Sequence, residues 1–223
     1  MTPTESPAPH PESDSLESAL QGLAIELTAQ QLKQLESYLH LLWDWNSKIN
    51  LTRHTTYDLF ARRDLLDAYQ LVRHLAEQED VLDMGSGGGV PGIVVAILRP
   101  DLAVQVCDSV AKKSRVLENI VKTLKLPVVV HHCRAQDVLE DLRFHSLVSR
   151  AVGSLTQQLN WLQDCWHGLD RLLAIKGPKW VEERGEARHR GLLHNIELRK
   201  VDSYLMPGTP NESVILQLRR VTH

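Results

Sequence analysis

Cysteine is scarce in this 223-residue chain, which has only Cys107, Cys133 and Cys165, an odd number with no C-x-x-C pair. That pattern argues against a disulfide framework or a zinc-ribbon type of site and points to a reducing compartment. No apolar run approaches the ~18 residues that mark a membrane span, and no charged-then-apolar leader opens the sequence. A cytoplasmic protein without a membrane partner is therefore expected. Net charge is also small, −3 at pH 7, and by itself announces no nucleic-acid partner. The average conceals an asymmetry. Residues 1–30 carry Glu5, Glu12, Asp14, Glu17 and Glu26 and no Lys or Arg, which leaves the remainder mildly basic.

The length suits one α/β domain with an extension. Residues 1–15 combine four prolines with Ser, Thr and Glu and predict a disordered tail, because such a composition buries too little apolar surface to order itself. Residues 16–78 read as a helical extension packed on the same domain. Leucines and aromatics recur at helical spacing from Thr28, a candidate N-cap, to Trp45, and a second helix is expected from about Thr56 to His74. Residues 79–223 alternate strand and helix. Strands are expected at Val81–Asp83, Ala103–Cys107, Val128–Val130, His145–Ser149 and Arg171–Ile175, with helices at Ala111–Leu124, Leu155–Trp166 and up to about His189. Arg134–Val138 reads as a loop. Asn195–Tyr204 and Ser213–Val221 read as a closing antiparallel pair around Pro207-Gly208-Thr209-Pro210. Repeated βα units predict a mostly parallel, doubly wound, Rossmann-like sheet with an antiparallel C-terminal edge.

One stretch concentrates the chemistry. Val81 to Gly92 reads Val-Leu-Asp-Met-Gly-Ser-Gly-Gly-Gly-Val-Pro-Gly, an apolar strand ending at Asp83, a glycine loop, and Pro91 where a helix should begin. Gly85, Gly87 and Gly89 remove β-carbons that would hold a ligand off the backbone. Gly87, Gly89 and Gly92 also satisfy the dinucleotide pattern G-x-G-x-x-G, which is ambiguous alone. Asp108, closing the second strand about 20 residues on, stands where a ribose-binding carboxylate belongs. Asp83 then discriminates between cofactors. A carboxylate there would repel a diphosphate, whereas it suits the ammonium of S-adenosylmethionine, whose amino acid end Asp83 would orient directly or through the loop. Arg150 and Lys176 each close a strand and would aim cations into the same crevice; the alternatives are a structural ion pair with a neighbouring carboxylate for Arg150 and reach into solvent for Lys176. His131-His132-Cys133 suggests no metal site, since neighbours on a strand face opposite ways. The Lys and Arg of 111–124 read as a solvated face, those of 179–190 as a phosphate grip or a salt-bridged helix, and the tryptophans as core.

With these residues the chain resembles the GidB (RsmG) family of bacterial methyltransferases. The resemblance rests on Trp45-Asn46, Asn50-Leu51-Thr52, the Asp83–Gly92 loop, Asp108-Ser109, Ser149-Arg150-Ala151 and Lys176-Gly177. It implies a class I S-adenosylmethionine-dependent fold and methylation of ring nitrogen 7 of one guanine in 16S (small-subunit) ribosomal RNA, by a protein expected to be a monomer. It places Gly85, Val90, Ala135, Gln136 and Arg150 at cofactor-contacting positions, and makes Arg150 a candidate for cofactor or target contact and Lys176 one for contact with RNA phosphate or guanine oxygen. Three positions depart from the family pattern: Gly88 stands for a common Pro, Gln136 for a usual Glu, and Asp64 for a frequent His. The other readings of the residues are a nucleotide-dependent oxidoreductase and a catalytically silent RNA- or ribosome-binding module on the same fold.

Overall fold

The computed structural model describes residues 12–221. Most of the expected tail lies outside that range. Its last residues are ordered rather than loose: the Ser13 N–H donates to Asp58 Oδ2 at 2.7 Å and Ser15 caps a short helix, α1, Leu16–Ala19. α2, Ala29–Asn46, begins in a capping box, with Thr28 and Gln31 satisfying each other's backbone N–H. Its Leu35, Tyr38, Leu39 and Leu42 are buried. The expected second helix is three segments in one run: α3 (Tyr57–Leu59), a π-helical turn (Phe60–Leu65) and α4 (Leu66–Val72). The wider turn matters below because Asp64 lies in it and Asp67 follows it.

The sheet then begins. β1 (Asp80–Met84), α5 (Gly92–Leu98), β2 (Ala103–Cys107), α6 (Ala111–Leu124), β3 (Val129–His131), α7 (Ala135–Asp141), β4 (Phe144–Arg150), α8 (Leu155–Leu162), β5 (Leu169–Lys176), α9 (Trp180–His189), β6 (Ile196–Leu205) and β7 (Glu212–Arg220) follow in order. Among the described residues the strands form one sheet in the order β3-β2-β1-β4-β5-β7-β6. The β1, β2, β3, β4 and β5 pairings are parallel, and β7 joins β5 and β6 antiparallel, as the alternation predicted. Two expectations need correction. Arg134–Val138 is not a loop but the start of α7, whose first turn is fastened by the Arg134 N–H donating to Asp137 Oδ2 at 3.0 Å. The helix from Leu155 stops at Leu162, and Trp166 lies in a separate 3-10 turn, buried against the sheet-side core.

The strand order reverses direction between β1 and β4, and the crevice outside the carboxyl ends of the strands opens there. Met84 pairs with Cys107 on one side and Ser149 on the other, so these three strands end level. α2 and α4 pack on α5, sharing one apolar cluster with β1 and β2 that includes Leu39, Leu71, Ile93 and Val106. The helical extension thus closes one side of the crevice.

Candidate active site

The glycine loop leaves β1 in a conformation that side chains resist. Gly85, Gly87 and Gly89 have φ of +68°, +58° and +107°. They serve different ends. At Gly87 a β-carbon would meet nothing nearer than the Gly85 oxygen at 3.9 Å, so bareness there keeps open space open. At Gly89 it would strike Ile93 Cδ1 at 2.8 Å, so this glycine is needed to fold the turn into α5. Gly88 is covered from outside by Leu42, whose Cδ1 lies 2.9 Å from the ideal β-carbon position, and its carbonyl accepts from the Tyr38 hydroxyl at 3.0 Å.

Asp83 is turned into this loop, the arrangement that its indirect role requires. It is fully buried, and its Oδ2 accepts the Gly92 N–H at 2.9 Å, tying the end of β1 to the first residue of α5. Its Oδ1 has no partner among the described residues. Burial pushes the carboxyl up to about 6, against the downward pull of the Gly92 N–H and Ser86. Asp108 is differently placed. It lines a cleft of about 280 Å³ while Oδ2 accepts from the Gly87 N–H at 3.0 Å and Oδ1 from the Val110 N–H at 2.8 Å. A carboxylate has about four lone-pair sites, so each oxygen can still accept from a hydroxyl. Ala135 and Gln136, at the start of α7, line the same cleft, with Gly85, Val152 and Trp161. Trp161, read from sequence as core, is 39% exposed at this rim.

A second cleft of about 290 Å³ meets the first at Gly85. Gly87, Val90, Lys113, His54, Asp64 and Arg150 are among the residues that line it. Arg150 does not extend as a free cation. Its Nη2 pairs with Asp64 Oδ1 and its Nε with Asp67 Oδ2 at 2.9 Å, the neighbouring-carboxylate arrangement that was the alternative to ligand contact. Burial alone would lower its pKa, but Asp64 and Asp67 outweigh that and raise it. Asp67 accepts in addition from the Tyr204 hydroxyl at 2.8 Å, and burial raises its pKa despite Arg150 and that hydrogen bond. His54 Nδ1 lies 2.7 Å from the Asp64 oxygen that Arg150 uses. Ala151, next in the chain, takes φ +56°, an uncommon conformation at the cleft's edge.

Lys176 is also turned from its expected role. It is 7% exposed, its Nζ donates to the Gly153 carbonyl at 2.8 Å and pairs with Glu183 Oε2 at 2.9 Å, and the same Glu183 oxygen accepts the Leu155 N–H at 2.7 Å. It fastens the ends of β4 and β5 to α8 and α9 instead of reaching outward. The residues that sequence reasoning missed are those distant in the chain: Asp67, Tyr204, Glu183 and His54. Only Asp64 carried a signal, as a departure from the family pattern.

Comparison with known proteins follows the same lines. A family model described as rRNA small subunit methyltransferase G (GidB) matches residues 31–209. The ribosomal RNA small subunit methyltransferase G of Rhodopirellula baltica is 52% identical over 187 residues, 84% of this chain and 81% of that protein. In fold the chain is similar to a putative O-methyltransferase from Klebsiella pneumoniae (TM-score 0.58, 14% identity, covering 91% of this chain and 94% of that one). It is also similar to M. capricolum TrmK in complex with S-adenosylhomocysteine (TM-score 0.54, 11% identity, covering 69% and 67%).

Proposed function

This chain belongs to the GidB family of rRNA small subunit methyltransferases, and from that premise we propose that it transfers the methyl group of S-adenosylmethionine to ring nitrogen 7 of a guanine in 16S ribosomal RNA. The observation that carries the reading is the pair of clefts joined at Gly85, one edged by a carboxylate with spare acceptor capacity and floored by bare glycine backbone. This donor set fits an adenosyl group with an amino acid attached.

When bound, S-adenosylmethionine supplies a methyl group on a sulfonium, activated without help from the protein. The work of the chain is placement. Asp108 would accept from ribose hydroxyls, the backbone of Ala135 and Gln136 would border the purine, and Gly85 with Gly87 would let the ligand approach the main chain. Val90 and the Arg150 cluster would border the amino acid end. Ring nitrogen 7 of guanine has a free lone pair, so no residue need take a proton before transfer, and holding two reactants in line is the main source of rate. Recognition of that RNA within the small ribosomal subunit or an assembly intermediate, action as a monomer and residence in the cytoplasm belong to the same proposal. Among the described residues no helix is long and apolar enough to cross a membrane.

Titration calorimetry of the protein with S-adenosylhomocysteine, NAD and NADP tests the cofactor class. Binding of the first alone, followed by loss of one 7-methylguanine from small-subunit RNA in cells lacking the gene, is the expected result. Binding of a nicotinamide cofactor would overturn it.

A further inference from the structure

The basic stretch of residues 179–190 admits two readings from sequence, a phosphate grip and a salt-bridged helix, and the structure divides them between residues. Glu186 pairs with Arg190 at 2.7 Å and Glu183 with Lys176 at 2.9 Å. Arg184 and Arg188, one turn apart on α9, form no ion pair among the described residues. Arg184 lies instead over the Trp180 ring, 5.1 Å from its centroid. Both arginines line a cavity of about 340 Å³ between α9 and the start of β6, with His194 beside them and Leu193, Ile196 and Leu198 as apolar walls. Among the described residues no Asp or Glu lines it. Gly191, at φ +73°, reverses the chain past the end of α9 and so brings His194 round to Arg188.

Like charges four residues apart on one helix face repel. The negative end of the α9 dipole accounts for Arg188, in the last turn, but not for Arg184 a turn earlier or for His194 beyond the helix. Cations gathered without a counterion are complementary to an anion supplied from outside, and guanidinium forks hold phosphate by paired hydrogen bonds. The family to which the chain belongs is described by its action on small subunit rRNA, a polymer of phosphates. We propose that the cavity between α9 and β6 is a docking site for backbone phosphate of ribosomal RNA, held by Arg184 and Arg188 with His194 at its side. The inference rests on the proposed RNA substrate and goes beyond it in naming a second place of contact, away from the crevice where the methyl group moves. Leu198 is level with Leu218 and Leu218 with Leu172, four residues before Lys176, and β6 is four strand spacings from β1, so the cavity lies about 13 Å below the strand ends and about 19 Å to one side of the glycine loop. An RNA that reaches both is held at two points, which fixes its orientation without reading a base.

The test measures binding of unmethylated 16S ribosomal RNA, and of the small subunit containing it, to the full chain as a function of salt, and follows methyl transfer separately. Arg184→Gln and Arg188→Gln are each expected to weaken RNA binding about three- to tenfold and to lower the slope of log K against log salt by about 0.7–1. KM for the RNA should rise by a like factor with kcat unchanged, and affinity for S-adenosylhomocysteine should stay within about twofold, since neither residue touches the crevice. Arg190→Gln removes an equal charge from the same helix, but one already paired with Glu186, and is expected to change the slope far less. An equal effect of Arg190→Gln would reduce the cavity to general surface charge and overturn the proposal. An unchanged slope in Arg188→Gln, an exposed position outside the core, overturns it whatever Arg184→Gln does to folding. Weaker binding to the subunit with naked RNA unaffected would put a ribosomal protein on the cavity and overturn it too. Failure of the unaltered protein to transfer a methyl group would refute the proposed function, while the salt slope would still report on the cavity.

Discussion

Replacing Gly92 with alanine sets two effects of opposite sign against each other. In a helix alanine is favoured over glycine by up to about 1 kcal/mol, and Gly92 is the first residue of α5. Its ideal β-carbon, however, would stand 2.6 Å from Val106 Cγ1, 2.7 Å from Asp83 Oδ2 and 2.8 Å from Asp83 Cβ, where ordinary contact begins at 3.4 Å. Val106 and Asp83 are fully buried on adjacent strands and have no room to retreat. Overpacking of this kind costs about 1–3 kcal/mol. Any shift of α5 that relieves it lengthens the Gly92–Asp83 hydrogen bond, worth about 1.5–3 kcal/mol because the acceptor is charged. The clash wins, and a net loss of about 3 kcal/mol is expected. For a chain of this size that lowers Tm by about 6–12 °C. The control is Gly185→Ala in α9, where nothing lies within 4 Å of the added carbon and stability should rise by about 0.5–1 kcal/mol. Thermal melts of the two variants decide the matter. A Gly92→Ala protein that melts at or above the unaltered one would refute the reasoning.

The Asp83 carboxyl holds its proton more tightly in the folded chain than in the unfolded one, since burial raises it to about 6 from 3.8. Its contribution to stability therefore falls as pH rises through the window from about 4 to 6 and is level above it; Asp83→Asn should erase that slope in chemical denaturation measured across the window. Arg150→Ala should cost about 3–5 kcal/mol at pH 7, because Asp64 and Asp67 remain buried with their cation gone, and the loss should shrink towards acid pH as Asp67, whose pKa burial already raises, takes up a proton. Urea titrations showing a loss below about 1 kcal/mol would contradict that. Among the cysteines, Cys133 at the rim of the first cleft should be alkylated well before Cys107, whose thiol burial drives up to about 12. Mass spectrometry should also find Cys133 protected by S-adenosylhomocysteine.

What could be read from the chain was what is local. The glycine loop, the strand ends at Asp108 and Arg150, the capping box at Thr28 and the closing antiparallel pair each depend on spacings within a few residues. α7 escaped notice because it is only seven residues long and its start is made by a short Arg134–Asp137 contact with no strong apolar period. Which of Asp83's two roles applies, direct or through the loop, was not legible for another reason. Its partner, Gly92, is near in sequence, but whether a strand-end carboxylate turns into the protein or into the cleft depends on how closely α5 packs on β2, which Val106 decides. Lys176 and Arg150 were placed at the right strand ends and given the wrong freedom. Their acidic partners, Glu183, Asp64 and Asp67, are supplied by other elements, and no periodicity reports on them.

The Tyr204 hydroxyl on Asp67 and the His74–Asp202 pair span 137 and 128 residues of chain. They bind β6, one of the last strands made, to the helices that precede the first. Contacts of such long range form late, after the loops they close have been paid for in entropy. Asp67, which holds Arg150 Nε at the edge of the second cleft, is thus held in turn by a strand more than a hundred residues later in the chain. Pulse-labelled exchange during refolding is expected to show the amides of Phe60–Val72 protected no earlier than those of β6 and β7, and earlier protection would contradict that dependence.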